Sequence, residues 1–263
     1  MLNLALFQQD IIHADAAANQ AKVAAALCRL EQKVDVVVVP ETFTTGFGDH
    51  MAALAEPEEG PTLDFARGLA ARHDALIIGT WTVRTIICGT AGVANRLHWV
   101  YPDGTYGFYD KAHTFRASSE AGQLLRGRER ALFEWRGWRI KPAVCYDLRF
   151  PTWLRNTRCE EGDRLLGYDL LVVCANWPAS RSEAWSTLLR ARAIENLCYV
   201  AGVNRVGTDD AGIEYSGDSA AVDYKGLPMT QAAHGCEELL TASLDKEALE
   251  TFRQHWPFHL DFD

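Results

Sequence analysis

The sequence predicts a mixed α/β protein, with buried strands in a sheet and helices packed outside it, and three observations carry this reading. Apolar runs of strand length recur at Leu2 to Phe7, Val34 to Val39, Ala75 to Trp81, Leu97 to Tyr101, Arg139 to Cys145, Tyr168 to Ala175 and Leu197 to Val203, as expected of strands covered on both faces. Several of the intervening stretches repeat apolar residues at helical spacing. Nothing divides the chain: its 263 residues, 48% of them hydrophobic, contain no low-complexity linker, charge block or fixed-period repeat, so one domain over residues 1–263 is expected.

Taken in order, the first run is followed by "ANQAKVAAALCRL", rich in strong helix formers, with Val23, Ala26, Leu27 and Leu30 at helical spacing. "GPTLDFARGLAARHD" begins with Gly60 and Pro61 and sets Leu63, Ala66 and Leu69 on one face. "YPDGTYGFYD" reads as a hairpin turning at Asp103-Gly104. The run ending in Cys145 leads through Tyr146, Asp147 and Arg149 to Pro151, a residue suited to a first helical turn, so the cysteine is expected where a strand ends and a helix begins. "SRSEAWSTLLRARAIEN" opens with Ser180 and Glu183 at capping-box spacing and is expected to bury Trp185, Leu188 and Ala191 or Arg192.

Composition excludes several classes. Lys and Arg total 26 against 35 Asp and Glu, a net charge of −9 without any basic stripe, which argues against nucleic acid or an anionic membrane surface as partner. "MLNLALFQQD" lacks the features of a secretory signal, and no stretch approaches the roughly twenty apolar residues of a membrane helix. The seven cysteines are odd in number, scattered and never spaced as C-x-x-C; reduced thiols in a cytoplasmic protein are expected, with neither a disulfide framework nor a metal site.

Ligand sites in open α/β sheets gather beyond the carboxyl ends of strands. Reactive residues follow the apolar runs at Glu41 in "VPETF", Lys111 in "YDKAH", Cys145 in "VCYD", and Asn176 and Trp177 in "CANWP". Singly, each has a plain structural reading: a capping glutamate, a solvated lysine, a buried inert thiol. Together they suffice for acyl transfer without histidine. A carboxylate takes the thiol proton, while a cation stabilises the thiolate and then the oxyanion, with the Tyr146 N–H as second oxyanion donor. His113, two residues after Lys111, is open to two readings, a Cys-His partner or a residue that orients its loop by hydrogen bonding.

The segments "VPETF", "YDKAH" and "VCYDLRFP" resemble, in order and spacing, the nitrilase superfamily of carbon-nitrogen hydrolases, over nearly the whole chain. "ETFTTGF", "DLRFP", "ANWPASR" and "WPFHLDFD" are similar to the omega-amidase branch, which hydrolyses the distal amide of 2-oxo acids such as 2-oxoglutaramate and 2-oxosuccinamate. The resemblance implies an αββα four-layer sandwich that forms a homodimer through helices, with larger assemblies in some members. It implies a Glu41–Lys111–Cys145 triad acting on a small amide without metal or organic cofactor, and a second glutamate, Glu120 in "FRASSEAGQ", that holds Lys111. Phe47, Asn176 and Trp177 are candidates for lining the pocket. Arg181 and Arg149 are candidates for a substrate carboxylate, the alternative for Arg149 being an ion pair with Asp147.

Three stretches depart from the family pattern: "RNTRCEEGDRLLGYDLL", longer than expected after the nucleophile helix, "HTF" and "IICGTAGV". Within the same chemistry the alternatives are a nitrilase, an N-carbamoyl amidohydrolase or another aliphatic amidase. Outside it they are a thiol-redox protein using Cys145 as a low-pKa thiolate, or a binding protein without catalysis.

Overall fold

The computed structural model describes residues 1–157 and 166–261. The first half of the chain runs β1 (Leu2–Gln8), α1 (Ala16–Leu27), β2 (Val36–Val38), α2 (Pro61–His73), β3 (Leu76–Ile87), β4 (Thr90–Val100), β5 (Tyr106–Asp110) and α3 (Glu120–Gln123). The second half runs β6 (Phe133–Trp135), β7 (Trp138–Val144), a 3₁₀ turn (Cys145–Arg149), α4 (Pro151–Leu154), β8 (Leu170–Ala175), α5 (Ser182–Asn196), β9 (Tyr199–Asn204), β10 (Val206–Thr208) and β11 (Glu214–Ser216). It ends with β12 (Ala220–Val222), β13 (Pro228–Gln231), β14 (Glu238–Leu244) and α6 (Lys246–His255). No described helix is long and apolar enough to cross a membrane.

Two six-stranded mixed sheets form, in the orders β14-β1-β2-β3-β4-β5 and β13-β12-β9-β8-β7-β6. The alternation of side chains along each strand decides what lies where. Leu4, Leu6, Val36, Val38, Leu76 and Ile78 of the first sheet meet Ile140, Val144, Leu170, Val172, Ala201 and Val203 of the second in a central core. The intervening residues Ala5, Phe7, Val37, Val39 and Ile77 face outward and are covered by Val23, Leu27, Leu63, Ala66 and Leu69 of α1 and α2. On the other side Leu171, Val173 and Val200 lie under Trp185, Leu189 and Ala193 of α5. The result is the αββα four-layer sandwich. Helix α5 approaches β9 so closely that a Cβ at Gly202 would stand 2.6 Å from Leu189 and 2.9 Å from Trp185.

The local signals act as expected in several places. Asp15 caps α1 by accepting from the Ala18 N–H at 2.9 Å, and Pro61 occupies the first turn of α2. The β4–β5 hairpin turns at Asp103-Gly104, where Asp103 accepts from the Thr105 N–H at 2.9 Å and Gly104 takes φ +84°. Two expectations are corrected. The Ser180–Glu183 capping box does not form: a 3₁₀ turn (Ala179–Arg181) precedes α5, no side chain caps it, and Glu183 accepts instead from the Thr187 hydroxyl. The buried face of α5 carries Trp185, Leu189, Arg192 and Ala193, leaving Leu188 half-buried.

The runs at Ala75 to Trp81 and Leu97 to Tyr101 mark only the apolar ends of a longer hairpin, paired from Ile77↔Val100 to Ile87↔Thr90. Its tip is the unusual "IICGTAGV", where Cys88 (φ 49°) and Gly89 (φ 79°) make a two-residue turn with both residues left-handed, the conformation that matches the twist of paired strands. Residues 158–165 of the long segment after α4, Cys159 among them, and the last two residues of "WPFHLDFD" lie outside the described residues.

Helix α6 is fastened to the second sheet by one buried carboxylate. Asp169 accepts from Arg253 at 2.8 Å, Lys246 at 3.1 Å and the Arg139 N–H at 3.1 Å. Burial alone would raise its pKa, but Arg253, the Arg139 N–H and Lys246 together hold it below the ordinary carboxylate value. A depressed pKa contributes stability that is present above the unfolded value, about 3.9, and is lost as pH falls through the folded one. Asp169→Ala is expected to cost on the order of 3 kcal/mol in denaturant unfolding at neutral pH, and to shed part of the acid sensitivity of the wild type. An unchanged midpoint would show that α6 is held otherwise.

Candidate active site

Four strand ends deliver the polar residues into the space between the two sheets. Beyond β2, Pro40 and Glu41 lead into Thr42, whose φ of 43° is held by its N–H donating to Thr80 Oγ1 at 2.7 Å. This turn points the Glu41 carboxylate inward, fully buried. Lys111 follows β5 immediately, its N–H bonded to the Asn95 carbonyl at 3.0 Å. Glu120 opens the short α3. Cys145 leaves β7 with φ 44°, in a region that costs a non-glycine residue energy and persists only where neighbours fix it.

Those neighbours converge on Asp147. Its Oδ2 accepts from the Val144 N–H at 3.0 Å and the Tyr109 hydroxyl at 2.8 Å, and its Oδ1 accepts from the His113 N–H at 3.0 Å and lies 2.7 Å from His113 Nδ1. The buried carboxylate therefore ties the cysteine turn to the lysine loop, and His113 takes the loop-orienting one of its two readings. With Asp147 so engaged, the Arg149–Asp147 ion pair does not form; Arg149 lies 4.9 Å over the Trp177 ring.

Lys111 is the hub. Its Nζ donates to Glu41 Oε1 at 2.8 Å and to both oxygens of Glu120 at 2.8 and 2.9 Å. Asn95, which the sequence did not single out, donates from Nδ2 to the same Glu41 oxygen at 2.8 Å. The other Glu41 oxygen accepts from the Asn176 N–H at 2.8 Å, while Glu120 Oε2 also accepts from the Phe115 N–H at 2.7 Å. The Asn176 side chain, expected at the pocket wall, is spent largely on the Glu41 segment, donating to its carbonyl at 2.6 Å and to Thr42 Oγ1 at 3.0 Å. Cys145 Sγ lies 3.7 Å from the Asn176 carbonyl oxygen.

The charges settle each other. Burial works against the Lys111 ammonium, but Glu120 and Glu41 raise its pKa above the ordinary lysine value. Glu120 is pushed up by burial and by Glu41, against the pull of Lys111. The Cys145 thiol is pushed well up, by burial first and then by Glu41, and Lys111 only partly offsets this. Burial is the largest of these effects on the thiol, and the two carboxylates add to it against one ammonium.

Cys145, Lys111 and Asn176 line a cavity of about 610 Å³ with Phe47, Tyr146, Arg149, Trp177 and Arg181, all of them expected in the sequence. It is closed further by Phe115, Ile213 and Tyr215, which were not. Tyr215 and Ile213 come from the β10–β11 hairpin, whose short strands carry no long apolar run and gave no signal. Arg181 stands 5.3 Å over the Phe115 ring, so both guanidiniums lie on aromatic walls. The cavity offers a thiol, an ammonium and two guanidiniums to a small anionic ligand.

The sequence profile of the carbon-nitrogen hydrolase family matches residues 3–254. The chain is 45% identical over its whole length to the omega-amidase YafV of Yersinia enterocolitica, covering 97% of that protein. It is 28% identical to the 2-oxoglutaramate amidase of Bacillus subtilis, over 97% of this chain and 95% of that one. Among solved structures it superposes with a TM-score of 0.95 on XC1258 of Xanthomonas campestris, a CN-hydrolase superfamily protein with an arsenic adduct in its active site; the two are 45% identical over 100% of this chain and 97% of the other.

The raised thiol is directly measurable. The thiolate absorbance lost on Cys145→Ala, followed against pH, is expected to titrate well above the roughly 8.5 of an ordinary cysteine; titration at or below that value would contradict the electrostatic balance described above.

Proposed function

This chain belongs to the carbon-nitrogen hydrolase family, and from that premise we propose that it is an amidohydrolase of omega-amidase type. It hydrolyses the distal amide of a 2-oxo dicarboxylate monoamide, such as 2-oxoglutaramate or 2-oxosuccinamate, to the dicarboxylate and ammonia. The observation that carries this reading is one cavity holding Cys145, a lysine shared by two buried carboxylates, and two guanidiniums. A monoamide of a dicarboxylate brings one neutral carbonyl to attack and one carboxylate to anchor. Arg181 and Arg149 take the carboxylate, and Phe47 and Trp177 flank the carbon chain.

In this mechanism Cys145 rests as the thiol. As sulfur attacks the amide carbon, Glu41 takes the proton, and the new oxyanion is held by the Lys111 ammonium and the Tyr146 N–H, which stands at the start of a helical turn where amides lack partners within the turn. Glu41 returns the proton to the departing nitrogen, ammonia leaves, and the acyl group remains on sulfur as a thioester. Glu41 then deprotonates water, the same donors hold the second oxyanion, and the dicarboxylate departs as the thiol is restored. Glu120 keeps Lys111 charged and aimed, and Asn95 and Asn176 hold the two Glu41 oxygens.

A proton carried by a base during attack suits a thiol whose pKa is raised, whereas a redox role needs a thiolate at rest, so the amidase reading is favoured over the thiol-redox one. We further read the chain as a single domain, cytoplasmic, and acting as a homodimer through helices. The half-buried Ala191 and the exposed Ile194 of α5 support that assembly.

Ammonia release from 2-oxoglutaramate, 2-oxosuccinamate, glutamine, an N-carbamoyl amino acid and a simple nitrile tests the reading. The 2-oxo amides are expected to lead and Cys145→Ala to abolish turnover, while a preference for the nitrile or carbamoyl compound would replace the branch. Glu41→Gln is expected to lower kcat by about 10²–10⁴. Arg181→Ala is expected to raise KM with kcat nearly unchanged, the pattern of lost binding that is equal in ground and transition states.

A further inference from the structure

Outside the residues assigned to chemistry, three polar side chains from distant segments meet, two of them near in sequence to residues that line the cavity. His13 lies between β1 and α1, His50 follows the Glu41 turn, and Asp210 sits in the β10–β11 hairpin turn. One ligand atom from each lies within 4.8 Å of the others. His13 Nδ1 stands 3.4 Å from Asp210 Oδ1. In a tetrahedral zinc site, bonds of about 2.0–2.2 Å set neighbouring ligand atoms about 3.3–3.6 Å apart.

His50 carries the argument further. Its Nε2 is 2.9 Å from the Thr45 carbonyl oxygen and 3.2 Å from that of Gly46, both acceptors, so Nε2 must hold the ring proton. In the neutral ring that leaves Nδ1 as a lone pair, and this atom is buried without a hydrogen-bond partner. An imidazole that donates one nitrogen to a backbone carbonyl and keeps the other as an unpartnered lone pair is arranged as metal-binding histidines usually are. The lack of a side chain at Gly48 also keeps the cluster uncrowded: a Cβ there would stand 2.9 Å and 3.0 Å from the His50 ring and 3.5 Å from Asp210 Oδ1.

We propose that His13, His50 and Asp210 form a binding site for a divalent transition metal of zinc type, with water completing the coordination. Two neutral imidazoles and one carboxylate suit such an ion better than Mg²⁺ or Ca²⁺, which favour all-oxygen shells. The bound ion ties the segment carrying Phe47, three residues before His50, to the hairpin carrying Ile213 and Tyr215. The site is therefore a clasp across one wall of the cavity, and no step of the hydrolysis passes through it.

Titration of the full-length protein with Co²⁺, followed by visible absorption, tests this. One equivalent is expected to bind with the spectrum of nitrogen and oxygen ligation and no thiolate charge-transfer band, and Zn²⁺ is expected to displace it. His13→Ala, at an exposed ring whose loss leaves the fold intact, and Asp210→Asn are each expected to weaken binding at least tenfold. Zn²⁺ is expected to raise the Tm of the wild type and of Cys145→Ala but not of His13→Ala. Absence of saturable binding, binding unaltered in both clasp variants, or a thiolate band that disappears with Cys145→Ala would overturn the proposal.

Discussion

The structure depends on an ammonium that has almost no access to water. Lys111 is 1% exposed, and a charge so placed persists only where partners replace its hydration. Glu41 and Glu120 do so at 2.8 Å each, and neither carboxylate would be tolerable there without the lysine. Three charges thus hold one another in a dry place, and each comes from a different part of the chain. The Glu41 turn after β2, the loop after β5 and the start of α3 must all arrive together, with Asn95 of β4 and the Asn176 amide at the end of β8 filling the remaining hydrogen bonds. The two-sheet architecture provides that meeting point, because parallel strands of both sheets end there.

A second constraint is stored backbone energy. Cys145 and Thr42 both take left-handed backbone angles without being glycine, and each is pinned by a specific acceptor, Asp147 for the cysteine turn and Thr80 for the glutamate turn. Asp147 serves both sides of the site, since it also binds the loop that positions Lys111. The relative placement of the sulfur, ammonium and carboxylate is therefore set by buried side-chain acceptors, which are stiffer than loop conformation alone.

Much of the architecture was legible because buried strands announce themselves. The seven apolar runs all fall in strands, and the three longer helical patterns became α1, α2 and α5. What escaped follows from the same logic. The mixed polar and apolar stretch from Thr82 to Asn95 continues β3 and β4 beyond their apolar ends, and strands β10 to β13, of three or four residues each, are too short to be seen. Glu41, Lys111, Cys145 and Glu120 were visible from their positions after strands and the resemblance of their surroundings. Asn95 was hidden inside a strand, where a single amide resembles any polar residue on a sheet face, and Asp147 was visible only as a possible partner for Arg149. The direction of the Cys145 pKa could not be read from the sequence, since it depends on how deeply three charges are buried together.

The pairing of β14 with β1, from Leu2↔Leu244 to Gln8↔Glu238, has a consequence for biosynthesis. Strand β1 finds one neighbour, β2, within about thirty residues and the other, β14, only after about two hundred more have emerged. Until then its outer edge presents unsatisfied amides and carbonyls to any passing strand, and contacts of such long sequence separation form slowly. The nascent chain must therefore carry an open sheet edge throughout that interval, which makes protection by a chaperone most valuable before residue 244 leaves the exit tunnel.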